Sequence, residues 1–168
     1  RKSLWVEGSV RPGIMVQDVL THPDYRGRGF LNSMASSFLG EMRDRGECGY
    51  TFPNKLSENS FRRSGWTELT GIPALQATLD AGAGQTAVRA SLFKEVGTFE
   101  SGVNAIWPEA GIPIGVLRDA AYLNWRYGRP DTTYRRFMIA DGRGYLVLKL
   151  YDRGDSKVMH ICDLVLRA

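Results

Sequence analysis

The residues with the clearest chemical potential lie in one stretch, Thr21 to Phe30, which reads Thr-His-Pro-Asp-Tyr-Arg-Gly-Arg-Gly-Phe. An apolar run, residues 14–20, precedes it, and a segment with helical spacing follows it. A glycine-containing turn between a strand and a helix leaves backbone N–H groups unpaired at the positive end of the helix dipole. Gly27 and Gly29 allow the backbone to approach a ligand closely. The stretch is therefore typical of a site that binds an anion such as a phosphate.

A carboxylate in the apolar run before this turn is the candidate for acid–base chemistry. Asp18 lies close to Val16, Val19 and Leu20. Burial of a carboxylate is costly unless the group is paired or used. We therefore expect Asp18 to be buried, and either to act as a general base or to form a salt bridge with a neighbouring arginine.

Composition restricts the class of protein. The 168 residues suffice for one well-buried domain or for two small halves that share a core. Hydrophobic content of 43% and charged content of 24% are ordinary for a globular protein, and no apolar run approaches the roughly 20 residues of a membrane span. The two cysteines have no metal-type spacing, which predicts free thiols in a reducing, cytoplasmic compartment. With two histidines in the chain, no metal site is expected.

The charge balance is mildly basic, with a net charge of +4. Such a balance suits nucleic acid or a polyanionic cofactor. The arginines are spread along the chain and form no block of like charge, which makes a nucleic-acid partner the weaker alternative. The chain begins at Arg1 with strand-like sequence and ends directly after an apolar run, so we expect it to be part of a longer polypeptide.

The elements that must position these residues can be read from periodicity. Residues 4–10 and 14–20 predict two strands joined by a turn at residues 11–13. An amphipathic helix of about four turns is predicted from Phe30, and a third strand over residues 48–52. A shorter helix is predicted over residues 55–63, and a bent strand over residues 67–79. The helical face consists of Leu31, Met34, Ala35, Phe38, Leu39 and Met42.

The C-terminal part has a different pattern. A helix is predicted over residues 117–127, followed by strands over residues 134–140, 145–151 and 158–166 that form an antiparallel meander. The Gly-Ala-rich residues 80–85 are typical of a linker. We therefore predict a first half over residues 1–79, a linker and poorly defined region over residues 80–116, and a second part over residues 117–168.

The sequence Arg26-Gly27-Arg28-Gly29-Phe30-Leu31 resembles the signature Gln/Arg-x-x-Gly-x-Gly/Ala of the GNAT superfamily of acyl-CoA-dependent N-acyltransferases. It departs from that signature in Leu31, where the family has a small residue. Further along, Pro53-Asn54 and the run from Phe61 to Trp66 resemble the family's asparagine and its Tyr-x-x-x-Gly-Phe ending. The resemblance covers residues 4–79. The segment Tyr122 to Tyr127 is similar to bacterial GNAT relatives that carry a second, degenerate GNAT-like half.

The resemblance implies an α/β fold with a mixed, largely antiparallel sheet flanked by helices and extended by a C-terminal meander. It implies acetyl-CoA, or another short acyl-CoA, as co-substrate. The backbone N–H groups of residues 26–31 would bind the pyrophosphate, and Arg26 and Arg28 would add charge. The end of the second strand would leave its neighbour and pair with the pantetheine arm. Asn54 would contact the cofactor or, equally, serve as a turn former. The implied cofactor-binding residues are Val19, Leu20, Thr21, Arg26, Gly27, Arg28, Gly29, Phe30, Leu31 and Asn54.

The implied reaction is direct acyl transfer to a primary amine of a small molecule or peptide, with Asp18 as the base. Phe61 stands where the family usually has its acid tyrosine, and it has no proton to donate. Tyr50 or Tyr122 could take that role, or the thiolate could leave unassisted. Otherwise the chain is a catalytically silent binding or regulatory module that retains coenzyme A binding. An oligomer is also compatible with the sequence.

Overall fold

The computed structural model describes residues 2–78 and 92–168. The chain divides into two compact units, one formed by residues 1–4 and 9–78 and the other by residues 5–8 and 79–168. The predicted linker at residues 80–85 lies outside the described residues, and the predicted domain boundaries stay predictions. In the part of the chain that is described, no helix is long and apolar enough to cross a bilayer.

The chain starts with a hairpin of two strands, β1 (Lys2–Val6) and β2 (Ser9–Val16). Glu7 and Gly8 connect them with φ angles of 46° and 86°, as a two-residue type I′ turn requires. The predicted turn at residues 11–13 is therefore wrong, because these residues lie inside β2. Pro12 is compatible with extended backbone, and it precedes the first residue that pairs with the next strand, Gly13.

The predicted third strand is confirmed as β3 (Cys48–Thr51), and it pairs in parallel with β2, from Gly13 with Cys48 to Val16 with Thr51. The predicted second strand is too long at its end, because β2 ends at Val16 and not at Leu20. Residues 17–22 form neither helix nor strand.

The predicted amphipathic helix is confirmed as α1 (Phe30–Asp44). Its apolar face buries Ala35 and Met42, whereas Met34 is 68% exposed, contrary to the prediction. Met42 lies against Gly49 of β3, where an added Cβ would overlap the Met42 side chain. Absence of a side chain at Gly49 thus allows the helix to pack closely on the strand.

A second helix, α2 (Glu58–Arg63), begins three residues later than predicted and ends in a Schellman motif. Gly65 adopts a φ of 87°, and the Trp66 N–H donates to the Phe61 carbonyl at 3.1 Å. The rings of Phe61 and Trp66 meet edge to face at 5.2 Å. The buried Ser64 hydroxyl lies 2.7 Å from the Ser60 carbonyl of its own helix and 3.1 Å from the Asn32 carbonyl of α1. These contacts hold α2 against α1, the helix that follows the glycine turn.

The strand predicted over residues 67–79 is wrong for the described part, because residues 67–78 form neither helix nor strand. Gly71 and Pro73 interrupt this segment, and proline cannot donate a ladder hydrogen bond. Leu69, Ile72 and Leu75 are exposed accordingly.

The second unit is built around an antiparallel sheet. The helices and strands of the second unit are β4 (Phe93–Glu95), α3 (Ile106–Glu109), β5 (Ile114–Val116), α4 (Ala120–Tyr127), β6 (Arg135–Ile139), β7 (Gly144–Asp152) and β8 (Lys157–Leu166). The sheet order is β4-β6-β7-β8. The predicted meander and the predicted α/β fold class with a mixed sheet are confirmed. The sequence did not predict the short elements β4, α3 and β5.

The α4 helix is anchored at both its start and its middle. The Asp119 carboxylate caps it by accepting the Tyr122 N–H at 2.7 Å. The Asn124 side chain bonds to both the N–H and the carbonyl of Phe99, at 2.9 and 2.8 Å. The buried core of this unit consists of Phe99, Val103, Ile106, Trp107, Leu123, Tyr127, Tyr145, Val147 and Val165.

A charged network lies within this core. The Arg118 Nε donates to Asp163 Oδ2 at 3.1 Å, and the Tyr127 hydroxyl donates to the same oxygen at 3.1 Å. Burial raises the pKa of Tyr127 and of Tyr145 well above the ordinary range, and the nearby negative charge of Asp163 adds to both shifts. Both phenols therefore stay protonated in the folded chain at moderately alkaline pH.

We expect the free energy of unfolding to fall as pH rises above about 10, where unfolded tyrosine ionises. The unfolded chain then binds fewer protons than the folded chain, because the folded Tyr127 and Tyr145 retain theirs, so stability decreases with pH. Urea unfolding at a series of pH values measures this slope. Tyr145→Phe should make the slope shallower, whereas Tyr25→Phe, at an exposed tyrosine, should leave it unchanged. An equal slope in all three proteins would contradict the assignment.

Candidate functional site

The glycine-containing turn leads directly into α1. A single 3-10 turn, Pro23–Tyr25, opens it, and the two glycines that follow have φ angles of 73° (Gly27) and 77° (Gly29). Gly29 is the N-cap of α1. Positive φ is accessible to glycine without steric cost, which explains why both positions are glycine.

The turn presents a set of unpaired donors. Among the described residues, the N–H groups of Gly27, Arg28, Gly29, Phe30 and Leu31 have no hydrogen-bond acceptor. The Arg26 N–H, in contrast, donates to the Pro23 carbonyl at 3.2 Å. Of the expected donors, residues 26–31, those of residues 27–31 are unpaired, and their binding of a pyrophosphate stays a prediction. These donors stand at the positive end of a 15-residue helix whose first turn contains no acidic residue.

Two arginines add positive charge to the turn. The Arg26 Nε donates to the Thr21 carbonyl at 3.2 Å, which holds that side chain beside the turn. The Arg28 guanidinium lies over the Tyr25 ring, 5.1 Å from its centroid. Both arginines are exposed. The turn therefore combines oriented N–H donors with two accessible cations, as an anion site requires.

The ladder of the strand that leads to the turn ends before the turn, and the splaying that the family resemblance implied stays a prediction. The pairing of β2 with β3 ends at Val16 and Thr51, and we call the point where the strands part the strand fork. In the described residues, the backbone groups of Val19 and Leu20 make no backbone hydrogen bond. Leu20 is 86% exposed and Thr21 is half-buried. The pairing thus ends at Val16, three residues before Val19, the first residue expected to contact the pantetheine arm.

Asp18 does not have the predicted burial. It is exposed, it lies beyond the end of β2, and its φ is 55°. The expectation assumed that β2 continues to Leu20. Within the described ranges Asp18 forms no ion pair, and a salt bridge to an arginine outside those ranges stays a prediction. Its carboxylate therefore faces solvent beside the strand fork.

Asn54 acts as a turn former at the start of α2. Its Oδ1 accepts the N–H groups of Leu56 and Ser57, each at 3.0 Å, and its carbonyl accepts the Glu58 N–H at 2.9 Å. The structural alternative is thus confirmed, and contact with a cofactor stays a prediction.

The position of the family's acid tyrosine is part of the core. Phe61 is 4% exposed and packs against Trp66. Tyr50 lies in β3, half-buried, with its ring 6.2 Å from that of Phe52. Tyr122 belongs to the second unit. The positions of Phe61, Tyr50 and Tyr122 therefore identify no proton donor for the leaving thiolate.

One residue of the site was missed in the sequence. The Thr51 hydroxyl donates to the Val16 carbonyl at 2.9 Å, at the last pair of the parallel ladder. Threonine is a common strand residue, and only the register of the two strands identifies its partner.

Comparison with known proteins adds two findings. Residues 2–68 match the model of the acetyltransferase (GNAT) domain. A crystal structure of a GCN5-related N-acetyltransferase from Anabaena variabilis ATCC 29413 is similar, with a TM-score of 0.58 and 12% identity, over 99% of this chain. The chain spans 44% of the length of that protein, and the similarity shows the fold alone. A search of curated proteins gave no match. The family match confirms the resemblance to the GNAT superfamily over residues 2–68.

Proposed function

Because residues 2–68 match the GNAT acetyltransferase domain, we propose that the protein transfers an acetyl or other short acyl group from acyl-CoA to a primary amine. The amine belongs to a small molecule or a peptide, and transfer is direct, without a covalent enzyme intermediate. The observation that carries the proposal is the row of unpaired N–H donors at the start of α1. The unpaired cysteines, Cys48 and Cys162, support a reducing, cytoplasmic setting.

The pyrophosphate of the acyl-CoA would bind to the N–H groups of residues 27–31. Each hydrogen bond to a charged group contributes roughly 1.5–3 kcal/mol. Arg26 and Arg28 would neutralise the remaining charge of the phosphates. Leu31 is compatible with this role, because its N–H lies in the first turn and its side chain is half-buried.

The pantetheine arm would lie along the residues that follow the strand fork. Val19 and Leu20 have unpaired backbone groups in the described structure, and the arm carries two amides that can pair with such groups. The Thr21 carbonyl already accepts the Arg26 Nε, so Thr21 would offer its N–H. The arm would then run from the turn towards the ends of β2 and β3.

Asp18 is the proposed base. An amine substrate arrives as an ammonium ion, and it must lose a proton before its nitrogen can attack the thioester carbonyl. The exposed carboxylate of Asp18 can accept that proton through a water molecule. The new C–N bond forms, the C–S bond breaks, the nitrogen gives its second proton to solvent, and coenzyme A leaves as a thiolate. Phe61 donates no proton to it, so the thiolate leaves unassisted or takes a proton from solvent.

The test is release of free coenzyme A from acetyl-CoA by the intact protein in the presence of a panel of primary amines. We expect release that depends on the amine. Binding of acetyl-CoA without release by any amine would favour the silent regulatory module, in which Phe61 supplies no proton to a leaving thiolate. A nucleic-acid-binding domain would instead show affinity for nucleic acid that falls steeply with salt.

A further inference from the structure

A side-chain hydrogen bond holds β2 and β3 together at the strand fork. Val16 and Thr51 are the last residues of β2 and β3, and they are partners in the parallel ladder. The Thr51 hydroxyl donates to the Val16 carbonyl at 2.9 Å in a partly buried position. A side-chain hydrogen bond therefore joins the two strands at the last pair before they part.

The chain beyond this pair cannot resume the ladder. Pro53, two residues after Thr51, has no N–H to donate. On the other side, Asp18 has a φ of 55°, which turns the backbone away from extended geometry. The bond between Thr51 and Val16 is thus the final fixed contact before residues 19–21, the backbone assigned above to the pantetheine arm.

We propose that Thr51 is a positioning residue for the co-substrate. Its hydroxyl sets the point at which β2 leaves β3, and thereby the path of residues 19–21 along which the pantetheine arm pairs. Thr51 itself does not touch the reacting atoms. The inference rests on the proposed function, because it concerns the same acyl-CoA site.

The proposal separates the two ends of the co-substrate. The pyrophosphate is held by the glycine turn, which is anchored to α1 and not to Thr51. A change at Thr51 should therefore weaken binding of ligands that contain the pantetheine arm and spare ligands that end at the pyrophosphate. A residue with a merely structural role would affect both ligands together through loss of folded protein.

The experiment compares two probes, acetyl-CoA and 3′-phosphoadenosine 5′-diphosphate, by calorimetry with the intact protein. Thr51→Val replaces the hydroxyl with a methyl group of similar size and leaves the Val16 carbonyl without this donor. We expect acetyl-CoA to bind about tenfold more weakly, with 3′-phosphoadenosine 5′-diphosphate unchanged. Thr51→Ser, which keeps the hydroxyl, should restore most of the affinity. Thr70→Val, at an exposed threonine of the same unit, is the matched control.

Unchanged affinity of Thr51→Val for acetyl-CoA would overturn the proposal, as would an equal loss for both probes. If Thr51→Val does not fold, the same comparison is made between Thr51→Ser and Thr51→Cys. The serine hydroxyl is a strong hydrogen-bond donor, whereas the cysteine thiol is a weak one. Equal affinity of those two variants for acetyl-CoA would also overturn it. Failure of the unmodified protein to bind either probe would refute the acyl-CoA function itself. That result differs from tight binding of acetyl-CoA that substitutions of Thr51 leave unchanged, which would refute only the role of Thr51.

Discussion

Gly29→Val is expected to weaken acetyl-CoA binding about 100-fold. Gly29 has a φ of 77° at the N-cap of α1, and a β-branched residue is strained there by roughly 1–2 kcal/mol. Relief of that strain rotates the peptide planes on either side and redirects the adjoining N–H donors. Loss of one or two hydrogen bonds to a charged pyrophosphate accounts for about 3 kcal/mol, which corresponds to the stated factor. Isothermal titration with acetyl-CoA measures it.

The control is Gly40→Ala, also in the first unit. Gly40 lies inside α1 without positive φ, and an added Cβ would meet nothing within 4 Å. Alanine there should raise helix stability by up to about 1 kcal/mol and leave affinity unchanged. If Gly29→Val, shown to be folded by circular dichroism, binds acetyl-CoA as well as the unmodified protein, the turn does not hold the pyrophosphate.

Asp18→Asn is expected to lower kcat about 100-fold for an amine substrate. Asparagine has the same shape as aspartate and tolerates positive φ equally well, so the backbone at residue 18 is retained. The substitution removes only the ability to accept a proton, and general-base catalysis contributes typically about 10²–10⁴-fold. The dissociation constant for acetyl-CoA should change little. Steady-state assays of coenzyme A release, with calorimetry in parallel, separate the two effects.

Asp44→Asn provides the comparison, because Asp44 is an exposed carboxylate at the far end of α1. It should retain full activity. Undiminished kcat in Asp18→Asn would assign the base elsewhere and remove Asp18 from the site. An equal loss in both variants would indicate a general effect of surface charge on the protein.

Local patterns account for the parts of the fold that could be predicted. The apolar spacing from Leu31 to Met42 is helical in itself, and Gly46, with a φ of 64°, ends that segment. The meander of the second unit could equally be predicted, since its apolar strand segments are separated by short runs of turn residues. Both depend on interactions between residues close in the sequence.

The predictions were wrong where the structure depends on contacts between residues far apart in the sequence. The end of β2 depends on its pairing with β3, 35 residues further along, and on Pro53, which stops that partner. Burial of Asp18 was inferred from a strand that continues to Leu20, so it was wrong for the same reason. Pro12 and Gly13 are typical turn residues and predict the hairpin turn there, whereas the turn lies at Glu7 and Gly8, and Glu7 is an uncommon residue at positive φ.

The candidate site likewise contains one part that depends on contiguous residues and one part that depends on a distant strand. The glycine turn could be recognised because its residues are contiguous and their order carries the geometry. Thr51 could not, because its role follows from a partner strand. Phe61 was identified as a departure from the family, and the structure adds that it is a core residue packed against Trp66.

Calorimetric titration of the intact, folded protein with acetyl-CoA tests the central claim most directly. The account predicts saturable binding at one site per chain, with competition by 3′-phosphoadenosine 5′-diphosphate for the glycine turn. Absence of binding by protein that is shown to be folded would contradict it.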